Sequence, residues 1–294
     1  AGSWAHYAAW AEANAAVAKA FVYPAARGPA TVDVAIMVTP TSDNVWSPVA
    51  NAALVSTVAN YVVAEDPEHV DVVVRSVAAE PINVALRVQA PLPLADGGTG
   101  GGWIDGASII WPTYCTTSPH IAHLNAAPTS PTLIQVDCVE AGNAPVAESH
   151  FAIWSSSAKK WLRSRVKSSA LVGGVVYNVT LYDPIDTSAC TVGDYLSPDA
   201  EKLDDYAATM LAQFATLGPG EETTTAALLP RASRRPVPHE SWPSQLTSAN
   251  IGALSVAHHE LAHVVAVVPT LPSTPTVASP PQVLTMGHLA FAKY

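Results

Sequence analysis

His259, Glu260 and His263 spell H-E-x-x-H inside the stretch "SVAHHELAHVVAVVP". On a continuous helix this spacing sets two imidazoles one turn apart. They can then hold a zinc ion while the glutamate polarises a bound water, the chemistry of a zinc-dependent metallohydrolase. The helix is the requirement, and the next residues argue against it. Val264, Val265, Ala266, Val267, Val268 and Pro269 form a β-branched, proline-terminated run that favours a strand. The motif reads as a helix running out and a strand beginning, with the imidazoles diverging. No Asp or Glu comes after His263, and His288 is the only later histidine. The extended form with a glycine and a third histidine has Ala266 and Pro269 in those places. The sequence therefore assigns no catalytic residue, no metal and no cofactor, with His259, Glu260 and His263 kept as the alternative zinc set.

Other chemical patterns are weaker. His120 and His123 sit in a proline-rich loop with no cysteine or carboxylate pair beside them and read as solvated. The acidic series Asp183, Asp186, Asp194, Asp199, Glu201, Asp204 and Asp205 lacks the D-x-[DN]-x-[DN]-G order of a calcium loop, and its last members read as the start and solvent face of a helix. Lys159, Lys160, Arg163, Arg165 and Lys167, interleaved with Trp154 and Trp161, form a basic cluster. In a chain of net charge −10, a hairpin surface docking on an acidic partner is the reading that fits, and nucleic acid is not. No G-x-S-x-G is present, and the glycines at 97–102 lack the lysine and helix of a phosphate loop.

The elements that would position these residues are mixed. The 294 residues are 49% hydrophobic and 13% charged, with 25 prolines, which suits real cores built from many short strands and a few helices. Cys115, Cys138 and Cys190 are odd in number and widely spaced, so they describe neither a disulfide framework nor a zinc knuckle. No signal-peptide pattern opens the chain, and no apolar run approaches the ~20 residues that span a bilayer.

Trp4, Tyr7, Ala8 and Ala11 give an opening amphipathic helix with Ser3 as its cap. "AKAFVYP" and "TVDVAIMV" alternate as a strand pair joined by a Gly-Pro loop. Ser47 and Pro48 read as N-cap and N1 of a helix carrying Ala52, Val55, Val58 and Val62. Val70, Val72 and Val74 mark another strand, and Val84, Leu86 and Val88 a further one. The glycine-dense run "LPLADGGTGGGWIDG" reads as a loop or boundary, and the residues between it and about 196 are strand-like. Ser197 and Pro198 read as the cap and first turn of a helix with Leu203, Tyr206, Ala207, Met210 and Phe214 on one stripe, stopped at Gly218-Pro219. "SQLTSANIGALSV" reads as another helix, and "QVLTMGHLAF" as the last strand. The closing part repeats the outline of the opening, with "HVVAVVP" in the place of "AKAFVYP".

The opening segment "GSWAHYAAWAEANAAVAKAFVYPAARGPATVDVAIM" resembles the baseplate J-like family, wedge proteins of contractile phage tails and related injection machines. Tyr7, Trp10, Ala11, Val17, Val22, Tyr23, Pro24, Gly28, Pro29, Thr31 and Val32 carry the resemblance. Ala30 stands where the family has glycine, and Leu261-Ala262 where it has Gly-Val. The segments around 195–223 and 241–291 look like the C-terminal part of longer members, so that about half the chain is covered.

The element pattern gives an α+β fold with two small sandwich-like α/β units of α-β-β-α-β pattern and a β-rich insertion between them. Residues 1–92 would be the N-terminal domain, 93–196 the insertion and 197–294 the C-terminal domain, completed by the strand at 82–90. The resemblance implies a further region ahead of residue 1 and a structural role in the virion tail baseplate, assembled in the bacterial host cytoplasm. The implied partners are other copies of the chain, other wedge proteins, the tail hub, and sheath or tube initiator proteins, with no nucleic acid and no membrane insertion. A receptor- or glycan-binding tail module built on residues 93–196 is the remaining alternative.

Overall fold

The computed structural model describes residues 3–66, 70–88, 103–105, 108–110, 122–138, 144–199, 203–219, 259–264 and 280–293. The fold is mixed α+β. Two compact units divide it: Ala1–Pro81, Gln213–Thr223 and Ala266–Thr285 form one, and Ile82–Ala212, Thr224–Val265 and Met286–Tyr294 the other.

The first unit opens with α1 (Trp4–Glu12), β1 (Lys19–Pro24), β2 (Thr31–Met37), α2 (Ala52–Glu65) and β3 (Asp71–Ser76). Tyr7 and Ala11, one turn apart, are the residues α1 buries. Ser3 occupies the N-cap position, but its side chain makes no capping bond. The expected start of α2 at Ser47-Pro48 is corrected. Val49 bridges to Met37 and the Pro48 carbonyl accepts from Val38 N–H at 3.0 Å, which keeps this segment extended. The cap is Asn51, whose side chain accepts from Leu54 N–H, satisfying a donor that the first helical turn leaves open.

The sheet runs β1-β2-β3, with β1 antiparallel to β2 and β3 parallel to it across the α2 crossover. Alternation along β2 serves two cores. Val32, Val34 and Ile36 pack with Tyr7, Ala11, Val58, Val62 and Val74 beneath the helices. Ala35 and Met37 pack on the other side with Phe21, Tyr23, Val77 and Val283.

Further along the chain are β4 (Ala78–Val88), β5 (Trp103–Asp105), β6 (Ser108–Ile110), β7 (His123–Leu124), β8 (Leu133–Asp137), β9 (His150–Ser155), β10 (Lys160–Gly173), β11 (Val176–Leu181), β12 (Leu196–Pro198), α3 (Leu203–Phe214), β13 (His259–Val264) and β14 (Gln282–Lys293). Trp103–Asp105, read from the glycine-dense run as part of a loop, is a strand paired with β6. Ser197 and Pro198 do not start α3. They lie in β12, paired with Ala152 and Phe151 of β9, and the described helix begins at Leu203. β13, β4 and β14 form a three-stranded sheet in that order. The helix expected at "SQLTSANIGALSV" lies outside the described residues.

The second unit is built on an antiparallel sheet of order β12-β9-β10-β11-β8-β7. Its two edges meet. Leu124 N–H donates to the Asp194 carbonyl at 2.9 Å, Gly193 N–H to the Leu124 carbonyl at 2.9 Å, and Leu196 N–H to the Ala122 carbonyl at 2.8 Å. Closure removes the open edges that such a sheet would otherwise expose. The interior is filled by Leu124, Ile134, Val136, Phe151, Ile153, Val166 and their neighbours, as expected of a barrel this small. Among the described residues no helix is long and apolar enough to cross a membrane.

Candidate functional site

The turn between β1 and β2 is where local sequence and long-range charge pairing meet. Ala25 and Ala30 hold φ of 54° and 58°, and Gly28 holds 123°, the left-handed conformations a tight reversal needs. Arg27 N–H donates to Thr31 Oγ1 at 3.2 Å, and Thr31 Oγ1 donates to the Gly28 carbonyl at 2.7 Å. This geometry carries the Arg27 side chain back along the sheet. Its Nε donates to Asp33 Oδ1 at 2.6 Å, its Nη1 to Asp71 Oδ2 at 2.5 Å, and its Nη2 to the Asp71 carbonyl at 2.7 Å.

Asp33 is wholly buried and also accepts from Arg75 Nη2 at 2.5 Å. Pairing with two guanidinium groups offsets the cost of burying this carboxylate. Hydrogen bonding to Asp71 and then Asp33 raises the Arg27 pKa, and the same contact lowers that of Asp71. The Gly-Pro loop is thus fastened to both β2 and β3.

The H-E-x-x-H motif lies wholly in a strand, which corrects the expected helix-to-strand junction. β13 runs antiparallel to β4, pairing His259 with Val88, Leu261 with Leu86 and His263 with Ala85, and its register shifts between Leu261 and His263. Pairing with the Val- and Leu-rich β4 extends the backbone through the motif, so the helical turn on which its zinc chemistry depends is not formed. Among the described residues no group of three or more His, Cys, Asp or Glu is placed to hold a metal ion. His123, read as a loop residue, lies in β7 with Nε2 3.9 Å from Asp137 Oδ2. His120 lies outside the described residues.

The basic cluster is partly engaged within the chain, where Lys160 and Arg163 find partners in the acidic series. Arg163 Nε lies 2.8 Å from Asp199 Oδ1 and its Nη2 2.8 Å from Asp204 Oδ2. Lys160 Nζ stands 3.9 Å from Asp186 Oδ2. Arg165 lies 3.5 Å from Glu148 and 4.3 Å from the centre of the Tyr182 ring. The interleaved tryptophans point inward. Trp154 and Trp161 are buried edge-to-face, 5.1 Å apart, and their indole N–H groups donate to the carbonyls of Gly287 and Leu203 at 2.9 and 3.1 Å.

Sequence reasoning missed a buried knot around Asp194. This carboxylate is fully buried and accepts from Ser156 N–H at 3.0 Å and Thr191 N–H at 2.8 Å. His288 Nδ1 approaches it to 3.3 Å, too poorly aligned to count as a hydrogen bond. Lys159, at φ 51°, donates its ammonium proton to the Met286 carbonyl. Burial pushes the Lys159 pKa down to about 8, against the pull of Asp194. Gly193, at φ 88°, was the one local signal of a special turn.

Residues 1–90, which contain the Gly-Pro loop and its charge network, match the baseplate J-like central domain. The match covers 90 of the 294 residues. No curated protein matches the chain. A match to this domain points to a structural part of a phage baseplate, and for such a part the surfaces of the chain matter. Exposed apolar side chains in the described residues include Trp4 on α1 (59%) and Leu171 and Val172 (61% and 55%) toward the β10–β11 turn. Isolated exposed groups of this kind are common on monomers, but large ones also serve as contacts in assemblies.

Proposed function

We propose that the chain is a structural component of the baseplate wedge of a contractile phage tail or a related injection machine. In this reading wedges containing it surround the tail hub, join into a ring, and rearrange when the sheath contracts. Its partners are other copies of itself, other wedge proteins, the hub, and sheath or tube initiator proteins. Assembly takes place in the bacterial host cytoplasm, without catalysis, nucleic-acid binding or membrane insertion. The observation that carries the reading is the baseplate J-like central domain over residues 1–90.

The charge pattern supports it. Lys160 and Arg163 pair with Asp186, Asp199 and Asp204, and Arg165 with Glu148, which leaves less of the basic run to recruit a polyanion. The same reading divides the chain into two sandwich-like α/β domains, 1–92 and 197–294, with 93–196 as a β-rich insertion. The test is deletion and complementation. Cells producing particles without this chain should accumulate tail parts that lack complete baseplates, and both the wild-type chain and its His259→Ala/His263→Ala variant should restore them. Normal baseplates in its absence would refute the proposal.

A further inference from the structure

The two edges of the β1-β2-β3 sheet are treated differently. Ala25 N–H donates to the Thr31 carbonyl at 2.8 Å, and this phase leaves Ala20, Val22 and Pro24 facing away from β2. That edge is blunted. The Ala20 N–H is taken by Glu12 Oε1 at 2.9 Å, and Pro24 has no N–H to offer. Such devices are how proteins keep edge strands from pairing with strangers.

The β3 edge carries none of them. Asp71 N–H donates to the Ala30 carbonyl and Val77 N–H to the Ile36 carbonyl, both at 3.1 Å. In the parallel register Val32↔Val72, Val34↔Val74 and Ile36↔Ser76, this phase turns Val73 and Arg75 toward β2. The backbone N–H and C=O of Val72, Val74 and Ser76 then face outward, with no backbone partner among the described residues. The charges next to this edge are already spent, Asp71 on Arg27 and Arg75 on Asp33.

We propose that β3 pairs antiparallel with β3 of a second copy of this chain, about a twofold axis at Val74. In that register Val74 meets Val74, and Val72 of one copy meets Ser76 of the other. Every outward N–H and C=O of the three residues finds a partner, because an antiparallel pair about a twofold is self-complementary. A strand is the only occupant whose donors and acceptors alternate at the spacing this edge offers. Beside the edge Arg27 and Arg75 balance Asp33 and Asp71 within each copy, so these four groups add nothing to the repulsion between two chains of net charge −10. The inference rests on the baseplate reading only for its biological setting.

The test uses the purified full chain with no other baseplate protein present. Sedimentation should give twice the 30.6 kDa chain mass at high concentration and the single mass on dilution. Residue-resolved hydrogen exchange should show the Val72, Val74 and Ser76 amides slow in the dimer and fast in the monomer, while Val73 and Arg75 stay slow in both. Val74→Pro, which removes the central outward N–H, should abolish the dimer. Should that variant misfold, the wild-type exchange pattern still decides.

A monomer at every concentration overturns the proposal, as does a dimer whose three amides remain fast, or a monomer in which they are already slow. Protection gained only in whole tails would assign the edge to a strand of another protein and overturn the pairing of two copies. Each of these results leaves the baseplate reading standing. A dimer formed by a chain that is missing from tails would do the reverse.

Discussion

Arg163 on β10 donates to Asp199 at 2.8 Å, joining the middle of the basic run to the middle of the acidic one. Asp199 is buried, and the same guanidinium continues to Asp204 on α3, so one side chain fastens the start of that helix to the sheet. Runs that look like opposite surfaces when read along the sequence are partners in the fold.

Arg163→Met should cost about 2 kcal/mol, measured by urea denaturation at neutral pH. The figure is set below the ~3–5 kcal/mol of a fully buried broken pair because the Arg163 side chain is 34% exposed. Its pH dependence has a defined sign. Burial raises the Asp199 pKa above its ordinary value, and Arg163 opposes that rise. Without Arg163 the folded carboxyl holds its proton more tightly than the unfolded one, so stability falls as pH rises through that window. The deficit of the variant against wild type should shrink on acidification.

Ala30→Gly should stabilise the first unit. Ala30 is held at φ 58°, where an L-residue with a β-carbon pays ~1–2 kcal/mol and glycine does not, less the extra unfolded-state entropy of glycine. A net gain of about 0.5 to 1 kcal/mol in denaturant titrations is expected. Gly28→Ala, at φ 123° with open space around the added carbon, should lose about 2 kcal/mol through backbone strain alone.

Much of the first unit was legible because its signals are local. Alternation in "TVDVAIMV" and the residues of the Gly-Pro turn specify β1 and β2 whatever surrounds them, and β2 buries both its faces. The element starts misread at Ser47-Pro48 and Ser197-Pro198 share a cause. Each pair has cap-and-first-turn chemistry, but a strand elsewhere takes the segment first: Met37 bridges to Val49, and β9 pairs with Ser197 and Pro198. H-E-x-x-H was overridden in the same way by β4. The Asp194 knot had no signal beyond Gly193, because it is assembled from residues 156, 159, 191 and 288, which no periodicity links.

Lys159 should make stability depend on alkaline pH. Its folded pKa of about 8 lies below the ordinary 10.5. Under pH 8 the penalty for burying the ammonium is present in full, and between pH 8 and 10.5 the unfolded chain binds more protons than the folded one, so stability rises. Across that range wild type should gain on Lys159→Met in chemical denaturation, and parallel curves would show that burial does not control this amine.

Gly287→Ala should destabilise the docking of β14 by ~1–3 kcal/mol through overpacking. The added carbon would stand 2.6 Å from Asn83 Oδ1 and 3.1 Å from the Ile82 carbonyl oxygen. The Asn83 side chain also accepts from His288 N–H at 3.0 Å and is not free to swing away. Thermal or urea denaturation reads the loss, and Asn83→Ala combined with it should recover part of the packing cost.

The most direct measurement is the copy number and position of this chain in purified, intact tails, by quantitative mass spectrometry with cryo-electron microscopy of the same particles. The account predicts a fixed number of copies in a sixfold ring around the hub, with residues 1–90 occupying resolved density in every wedge. Tails that are complete and contain no copy of the chain, or contain it away from the baseplate, would contradict it.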